Sequence, residues 1–193
     1  MSDNTLEDVS VVVPTARSEL TTPETVPEEA ELLVRRDDGL NVARNAGVEH
    51  ATNDWIVIAD DDIEFPTETV RRVLREGDRT TLAGLADFPP ARWVIGRLMI
   101  FHRSLWERVG GFDERRHHGG DTDFAIRVER AGGTVWRLDR DTVPHYDEDT
   151  GEGMTTTEHL EWTWYLTRRH PVQFGPVAVR LLTRKLGGVV PGR

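Results

Sequence analysis

The chain has no cysteine among its 193 residues, which excludes a disulfide framework, a thiolate nucleophile and cysteine-ligated metal. Positive charge is scarce. Against 34 Asp and Glu stand 24 Lys and Arg, for a formal net charge of -10, and such a body does not attract nucleic acid or anionic lipid nonspecifically. An anionic substrate therefore needs a local correction, either arginine or a metal ion. Lysine is nearly missing: Lys185 is the only one. An acidic, lysine-poor surface resembles adaptation to a high-salt cytoplasm, where repulsion is screened over a few ångströms. No run approaches the roughly 18 apolar residues needed to cross a bilayer. The opening "MSDNTLEDVS" lacks a basic region followed by an apolar stretch. These absences point to a soluble, cytoplasmic chain. No internal repeat is visible.

Alternating strand and helix patterns are present. "VSVVVPTA", 9–16, is a β-branched run ended by Pro14, as in a strand buried on both faces of a parallel sheet. "ELLVRR", 31–36, and "DWIVIA", 54–59, follow as strands. "GLNVARNAGVEHA", 39–51, and "FPTETVRRVLREG", 65–77, read as helices, the second with Pro66 at its first turn and Gly77 past its end. "WVIGRLMIFHRSLWERVGGFDE" reads as strand, turn and short helix, "DTDFAIRVERAGG" as a helix closed by Gly132 and Gly133, and "TVWRLD" as a last strand. This order predicts a layered α/β domain with a mainly parallel central sheet flanked by helices. The expected organisation is a domain over 1–145 and, over 146–193, a loop and basic amphipathic helical extension packed on or beside it. After Glu161 there is no acid, while Arg168, Arg169, Arg180, Arg184, Lys185 and Arg193 follow. The extension is expected to pack Phe174, Val177, Leu181 and Leu182 onto the acidic body; peripheral contact with the inner face of a membrane is the alternative.

The feature that asks for chemistry is "IVIADDDIEF", 56–65, with three carboxylates directly behind a buried-strand pattern. In open parallel sheets ligands bind where strands end. Alternation along an extended chain predicts that Asp60 and Asp62 point together and Asp61 away. Two converging carboxylates suit a hard divalent ion that keeps some waters and shares a diphosphate. The plain alternative is a capping run before the helix near Pro66.

"VSVVVPTARSE", "GLNVARNAG", "DWIVIADDDIEFP", "GRLMIFHRSLWERVGGFDE" and "GGDTDFAIRVERAGG" resemble, in this order, the segments of the family 2 glycosyltransferases, over roughly residues 9–145. The resemblance implies a GT-A fold and inverting transfer of a sugar from a nucleoside-diphosphate-sugar donor, with Mg2+ or Mn2+ as cofactor. It implies that Pro14 and Thr15 meet the nucleoside, that Arg44 lies against the base or diphosphate, that Asp60 or Asp61 touches the ribose, and that Asp62, with Asp60, holds the metal. Asp121 of "GGDTDF" matches the general base. His145 of "VPHYDE" matches a histidine near metal and diphosphate. The turn whose acid reads the base is reduced to "RRDDG", where Asp37 or Asp38 stands in, with Asp38 the residue assigned to the donor. A Glu usual before the base is Gly120 here, and the stretch 75–93 is short.

The acceptor is read as a glycan, lipid-linked sugar or polysaccharide. His117 and His118 are candidates for a lid, and Trp162, Trp164 and Tyr165 for acceptor stacking, although aromatics at that spacing commonly pack. Two other classes remain open: a noncatalytic nucleotide-sugar-binding module on the same fold, and a metal-dependent nucleotidyltransferase, against which the "GGFDE" turn and "DTDF" helix argue.

Overall fold

The computed structural model describes residues 4–115, 119–143 and 155–187. Six strands form one sheet: β1 (Val9–Pro14), β2 (Glu31–Arg35), β3 (Trp55–Ala59), β4 (Thr81–Ala86), β5 (Val94–His102) and β6 (Thr134–Leu138). Their spatial order is β2-β1-β3-β5-β4-β6. β5 alone runs against the rest, pairing antiparallel with β3 and β4, while β1–β2, β1–β3 and β4–β6 are parallel. The helices are α1 (Thr22–Thr25), α2 (Leu40–His50), α3 (Thr67–Glu76), α4 (Arg103–Val109), α5 (Gly120–Arg130), α6 (Thr156–Arg169) and α7 (Pro171–Gly187).

Alternation along the strands divides the core in two. Val11, Val13, Val57, Ala59, Leu98 and Ile100 face α3, whose Val70, Val73 and Leu74 close that layer. Val12, Ile56, Ile58, Met99 and Phe101 face the other way, onto α2, α4 and α5 through Val48, Leu105 and Phe124. Every residue of β1 and β3 is buried, so the continuous apolar runs reflect a sheet covered on both faces. β4, "TLAGLA", carries no strong alternation and lies within the stretch that reads as merely short. Its register with β5 shifts between Gly84 and Leu85, the mark of a bulge at a glycine.

The extension contributes to the second core layer. Tyr165, Leu166, Phe174, Val177 and Ala178 are buried in the cluster that holds Phe101 and Phe124. Phe174 and Val177 are buried as expected and Leu181 partly, but Leu182 is 44% exposed. Leu182 lies one residue beyond Leu181, about 100° further round the helix, on the outward side. Among the described residues no helix is long and apolar enough to cross a membrane.

Candidate functional site

β1, β2 and β3 end on the same edge of the sheet, and β5 begins there. Asp60 continues that ladder, donating its N–H to the Arg97 carbonyl at 2.9 Å. Beyond it the chain turns at Asp61 and Asp62. The alternation expected for an extended triplet therefore fails: Asp61 does not point away. Its Oδ2 accepts a hydrogen bond from Thr15 Oγ1. The Arg17 guanidinium stands 3.8 Å from Asp61 Oδ1 and 3.3 Å from Asp62 Oδ2. All three carboxylates line one cavity of about 550 Å³ together with Pro14, Thr15, Arg17, Asp37, Asp38, Gly39 and Leu40. Within it Asp37 is gripped by Arg35 through Nε–Oδ2 and Nη2–Oδ1 contacts of 2.8 Å each; Asp38 is exposed on the rim.

A second cavity of about 340 Å³ is lined by Leu40, Arg44, Asp60, Phe88, Ile95, Gly96, Arg97, Gly119, Gly120 and Asp121. Leu40 and Asp60 line both cavities, so the triplet and Asp121 open onto one continuous cleft. Asp121 sits in the first turn of α5, where the helix dipole favours a carboxylate. Its Oδ2 accepts the Gly96 N–H and its Oδ1 the Thr122 N–H, each at 2.7 Å. Two backbone donors thus fix its direction and leave further lone pairs for a ligand.

Beneath the cleft lies Arg44, 4% exposed. It donates to the Gly96 carbonyl at 3.2 Å and to Asn41 Oδ1 at 3.3 Å, while its Nε has no hydrogen-bond partner. A Cβ on Gly96 would overlap the Arg44 guanidinium. Glycine therefore lets β5 present one face to Arg44 and its N–H to Asp121. Burial pushes the Asp60 carboxyl above its ordinary value, Arg44 pulls it down and Asp62 pushes it up. Arg44 lines the Asp121 cavity, not the one bounded by Pro14 and Asp38.

Gly120 is explained by packing. A Cβ there would run into the Asn41 side chain, whose Nδ2 donates to the Asp113 carbonyl at 3.0 Å. The volume a longer side chain would take is occupied by α2. His145, His117 and His118 lie outside the described residues. Of the aromatic candidates, Tyr165 is buried with its hydroxyl on Asp113 Oδ2 at 3.0 Å, and Trp162 packs edge-on against Phe174 with ring centroids 5.2 Å apart. Both are packing residues. Trp164 is 68% exposed.

Sequence reasoning missed a charged knot behind α5. Asp123 is fully buried, with Arg127 Nε at 2.8 Å from Oδ2 and with Arg169 Nε and His170 Nε2 each 2.7 Å from Oδ1. Asp113 of the "GGFDE" turn is held by Arg115, Arg169 and Tyr165. Arg169 joins the two acids, tying α6 to the helix that carries Asp121. Both acids lie below their ordinary values. For Asp113 the Arg115 hydrogen bond dominates over burial; for Asp123 burial opposes ionisation, but His170, Arg127 and Arg169 together outweigh it. A lone signal existed in "DTDF", since a second acid one turn inside a helix with Arg127 four residues on suggests an internal pair.

The model of glycosyl transferase family 2 matches residues 27–133, more than half the chain and the portion running from β2 through α5. The chain belongs to glycosyl transferase family 2. This glycosyltransferase is similar in fold to the catalytic domain of Drosophila beta-1,4-galactosyltransferase 7 solved with xylobiose, at 17% identity over 79% of this chain and 78% of that one, TM-score 0.56. It is similar also to the mannosyltransferase PcManGT of Pyrobaculum calidifontis solved with GDP-Man and Mn2+, at 19% identity over 90% of this chain and TM-score 0.59. The match spans 64% of that mannosyltransferase. No curated protein sequence matches the chain. The six-stranded, mainly parallel sheet between helical layers is the GT-A arrangement expected from the sequence.

Proposed function

We propose that this family 2 glycosyltransferase moves a sugar from a nucleoside-diphosphate donor to an acceptor hydroxyl with inversion, the donor lying in the cavity of Pro14, Thr15, Asp38 and Asp60–Asp62 and Asp121 acting as general base. One observation carries the reading: the two cavities meet at Leu40 and Asp60, so a donor on one side and an acceptor on the other face each other. The mannosyltransferase of similar fold was solved with GDP-Man and Mn2+, which supports a nucleotide-sugar and a divalent ion here.

The residues present fit such an ion. Among the described residues no three His, Asp or Glu side chains form a closed metal cage, and the acids instead have a cation beside them, the Arg17 guanidinium near Asp61 and Asp62. Asp60 and Asp62 both line the open donor cavity, and such a pair suits Mg2+ or Mn2+, which takes one or two carboxylates and completes its shell with water and phosphate oxygens. Asp62, with Asp60, would hold it; when bound it supplies charge neutralisation for the leaving diphosphate. Asp121 does the rest of the proton chemistry. The acceptor oxygen attacks the anomeric carbon as its proton passes to Asp121, and the bond from that carbon to the diphosphate oxygen breaks, releasing nucleoside diphosphate. Arg44, through Gly96, holds Asp121 in place and adds positive charge under the cleft.

GDP and UDP serve as probes of the donor half. With ligand at about a hundred times Kd, mass action raises the melting temperature by roughly 5–10 °C for a chain of this size. Asp62→Ala is expected to lose the part of that rise that depends on Mn2+ and keep the metal-free part. Identical Mn2+-dependent shifts in both proteins would remove Asp62 from the metal.

The acceptor remains a glycan, lipid-linked sugar or polysaccharide, and the outer face of α6 and α7 supports work at a membrane surface. Leu160, Trp164, Val172, Val179 and Leu182 are exposed there beside Arg168 and Arg180, and α7 contains no acid. Apolar and aromatic groups with arginine suit an anionic interface. Co-sedimentation with phosphatidylglycerol vesicles, weak with phosphatidylcholine and reduced by Trp164→Glu, is the expected outcome. Equal recovery with both lipids would argue against it.

A further inference from the structure

Resting on that reading, we infer that Phe88 is the platform on which the acceptor sits, and that the acceptor presents a pyranose ring to Asp121. Phe88 is 63% exposed and, among the described residues, is the one aromatic ring that lines either cavity of the cleft. It belongs to the loop between β4 and β5 and lines the Asp121 cavity with Ile95, Gly96 and Arg97. One face of its ring is covered: the Arg140 guanidinium carbon lies 3.9 Å from the centroid. The remaining exposure therefore belongs to the opposite face and edge.

The ring stands on a fixed backbone. Asp87 Oδ1 accepts the Phe88 N–H at 2.6 Å, the Asp87 N–H donates to the Trp93 carbonyl at 3.1 Å, and the Phe88 carbonyl accepts the Ala91 N–H at 3.0 Å. An exposed phenyl group gains nothing for folding by standing in water, and its immobilisation has an entropic cost. The arrangement is suited to a ligand. A pyranose has a face of C–H groups, weakly positive, and a rim of hydroxyls. The C–H face matches the negative face of a phenyl ring, and Arg140 on the far side holds that ring in place by a cation–π contact. The rim then meets polar groups already in the cavity, Arg97 and the Asp121 carboxylate. An apolar platform with a small set of polar groups that fix orientation is the usual composition of a site for one small ligand, and here those groups are Arg44, Asp60, Arg97 and Asp121.

Asp87, which holds the Phe88 N–H, is an acid beside the platform. Burial pushes it up to about 6, the Phe88 N–H opposes this, and Asp121 raises it further.

The experiment uses the full chain with Mn2+, a panel of UDP-, GDP- and dTDP-sugars, and four probes: methyl α-mannopyranoside, methyl β-glucopyranoside, methyl β-galactopyranoside and methyl β-xylopyranoside. At least one probe is expected to accelerate nucleotide release and to give a transfer product. Phe88→Ala should then raise the KM for that probe about tenfold, the size of one aromatic contact, with kcat changed far less. Phe88→Tyr should restore the KM, and the melting temperature of Phe88→Ala should fall by no more than about 4 °C, the loss of one exposed cation–π contact with Arg140. An unchanged KM in Phe88→Ala overturns the platform. So does nucleotide release that no pyranoside accelerates, the result expected if the acceptor is a lipid phosphate. If no donor is turned over at all, the enzymatic reading of the cleft fails together with this one.

Discussion

Asp121→Asn is expected to lower nucleoside diphosphate release from the preferred donor by about a hundredfold or more, the loss that accompanies removal of a positioned general base. The amide cannot take the proton from the acceptor hydroxyl, yet it is the same size and leaves the donor cavity untouched. Donor affinity, read from the Mn2+-dependent thermal shift, should stay within about threefold, well under 1 kcal/mol. One structural consequence follows from the hydrogen bonds. The carboxylate accepts from both Gly96 and Thr122, whereas an amide has a single oxygen, so one of these N–H groups must face an NH2 or turn to water. A stability loss of about 1 kcal/mol accompanies that mismatch. Equal rates in the two proteins would remove Asp121 from the chemistry, and a rate loss matched by loss of donor binding would make it a structural cap of α5.

Asp123→Ala should cause the largest loss of stability of any single side chain in the site region. It strips the acid from beneath Arg127, Arg169 and His170 and leaves buried positive charge without its partner. Breaking such a buried arrangement costs about 3–5 kcal/mol, and the lower figure applies here because Arg169 is a third exposed and can turn to solvent. For a domain of this length that corresponds to a fall in melting temperature of roughly 6–12 °C. The pH dependence has a definite sign. Asp113 and Asp123 are both held below their ordinary carboxyl values, so as pH falls through about 4 the unfolded chain takes up protons that the folded chain does not. Their stabilisation is present above that pH and is lost toward more acidic solution. Asp123→Ala should therefore lie below the parent at neutral pH and converge with it in acid, as followed by thermal unfolding between pH 3 and 7. Parallel curves across that range would mean that folding does not lower the Asp123 carboxyl below its ordinary value.

The elements that were legible in the sequence are those whose periodicity is local. β1 and β3 read correctly because both faces are buried and the runs "VSVVV" and "WIVIA" carry no polar side chain but Ser10. α3 and α5 read correctly from local signals, Pro66 and Gly77 at the ends of α3 among them. α2 is placed correctly after Gly39, but the spacing of Val42, Ala46 and His50 that suggests it marks its less buried face, while Asn41, Ala43, Arg44, Gly47 and Val48 turn inward. β4 did not, because Ala and Gly in "TLAGLA" follow from how closely β5 and its neighbours approach, which no window along the chain contains. The triplet is visible as a cluster, but strand alternation does not extend to it: β3 ends at Ala59, and the turn after Asp60 brings Asp61 in beside Asp62.

Arg44 shows the same division at the level of one side chain. Its place on α2 was plain; that it is buried under Gly96 and lines the Asp121 side of the cleft depends on β5, more than fifty residues away. Gly120 looks like a missing acid when read alone, and becomes a contact with Asn41 once α2 and α5 are packed together. Asp123, Asp113, Arg169 and His170 come from three separate segments, so no spacing rule links them.

By itself the amino-acid order determined the alternating strands and helices, the acid run behind β3, the family and the absence of cysteine chemistry, since each of these is written in neighbouring residues. Tertiary structure alone decided that two cavities share Leu40 and Asp60, that Asp121 is aimed by Gly96 and Thr122, that Phe88 stands open beside it, and that α6 is bound to α5 through a buried acid. Those facts depend on distances between residues far apart in the chain, which are fixed only when the sheet's two faces are covered and the side chains between its layers must fit.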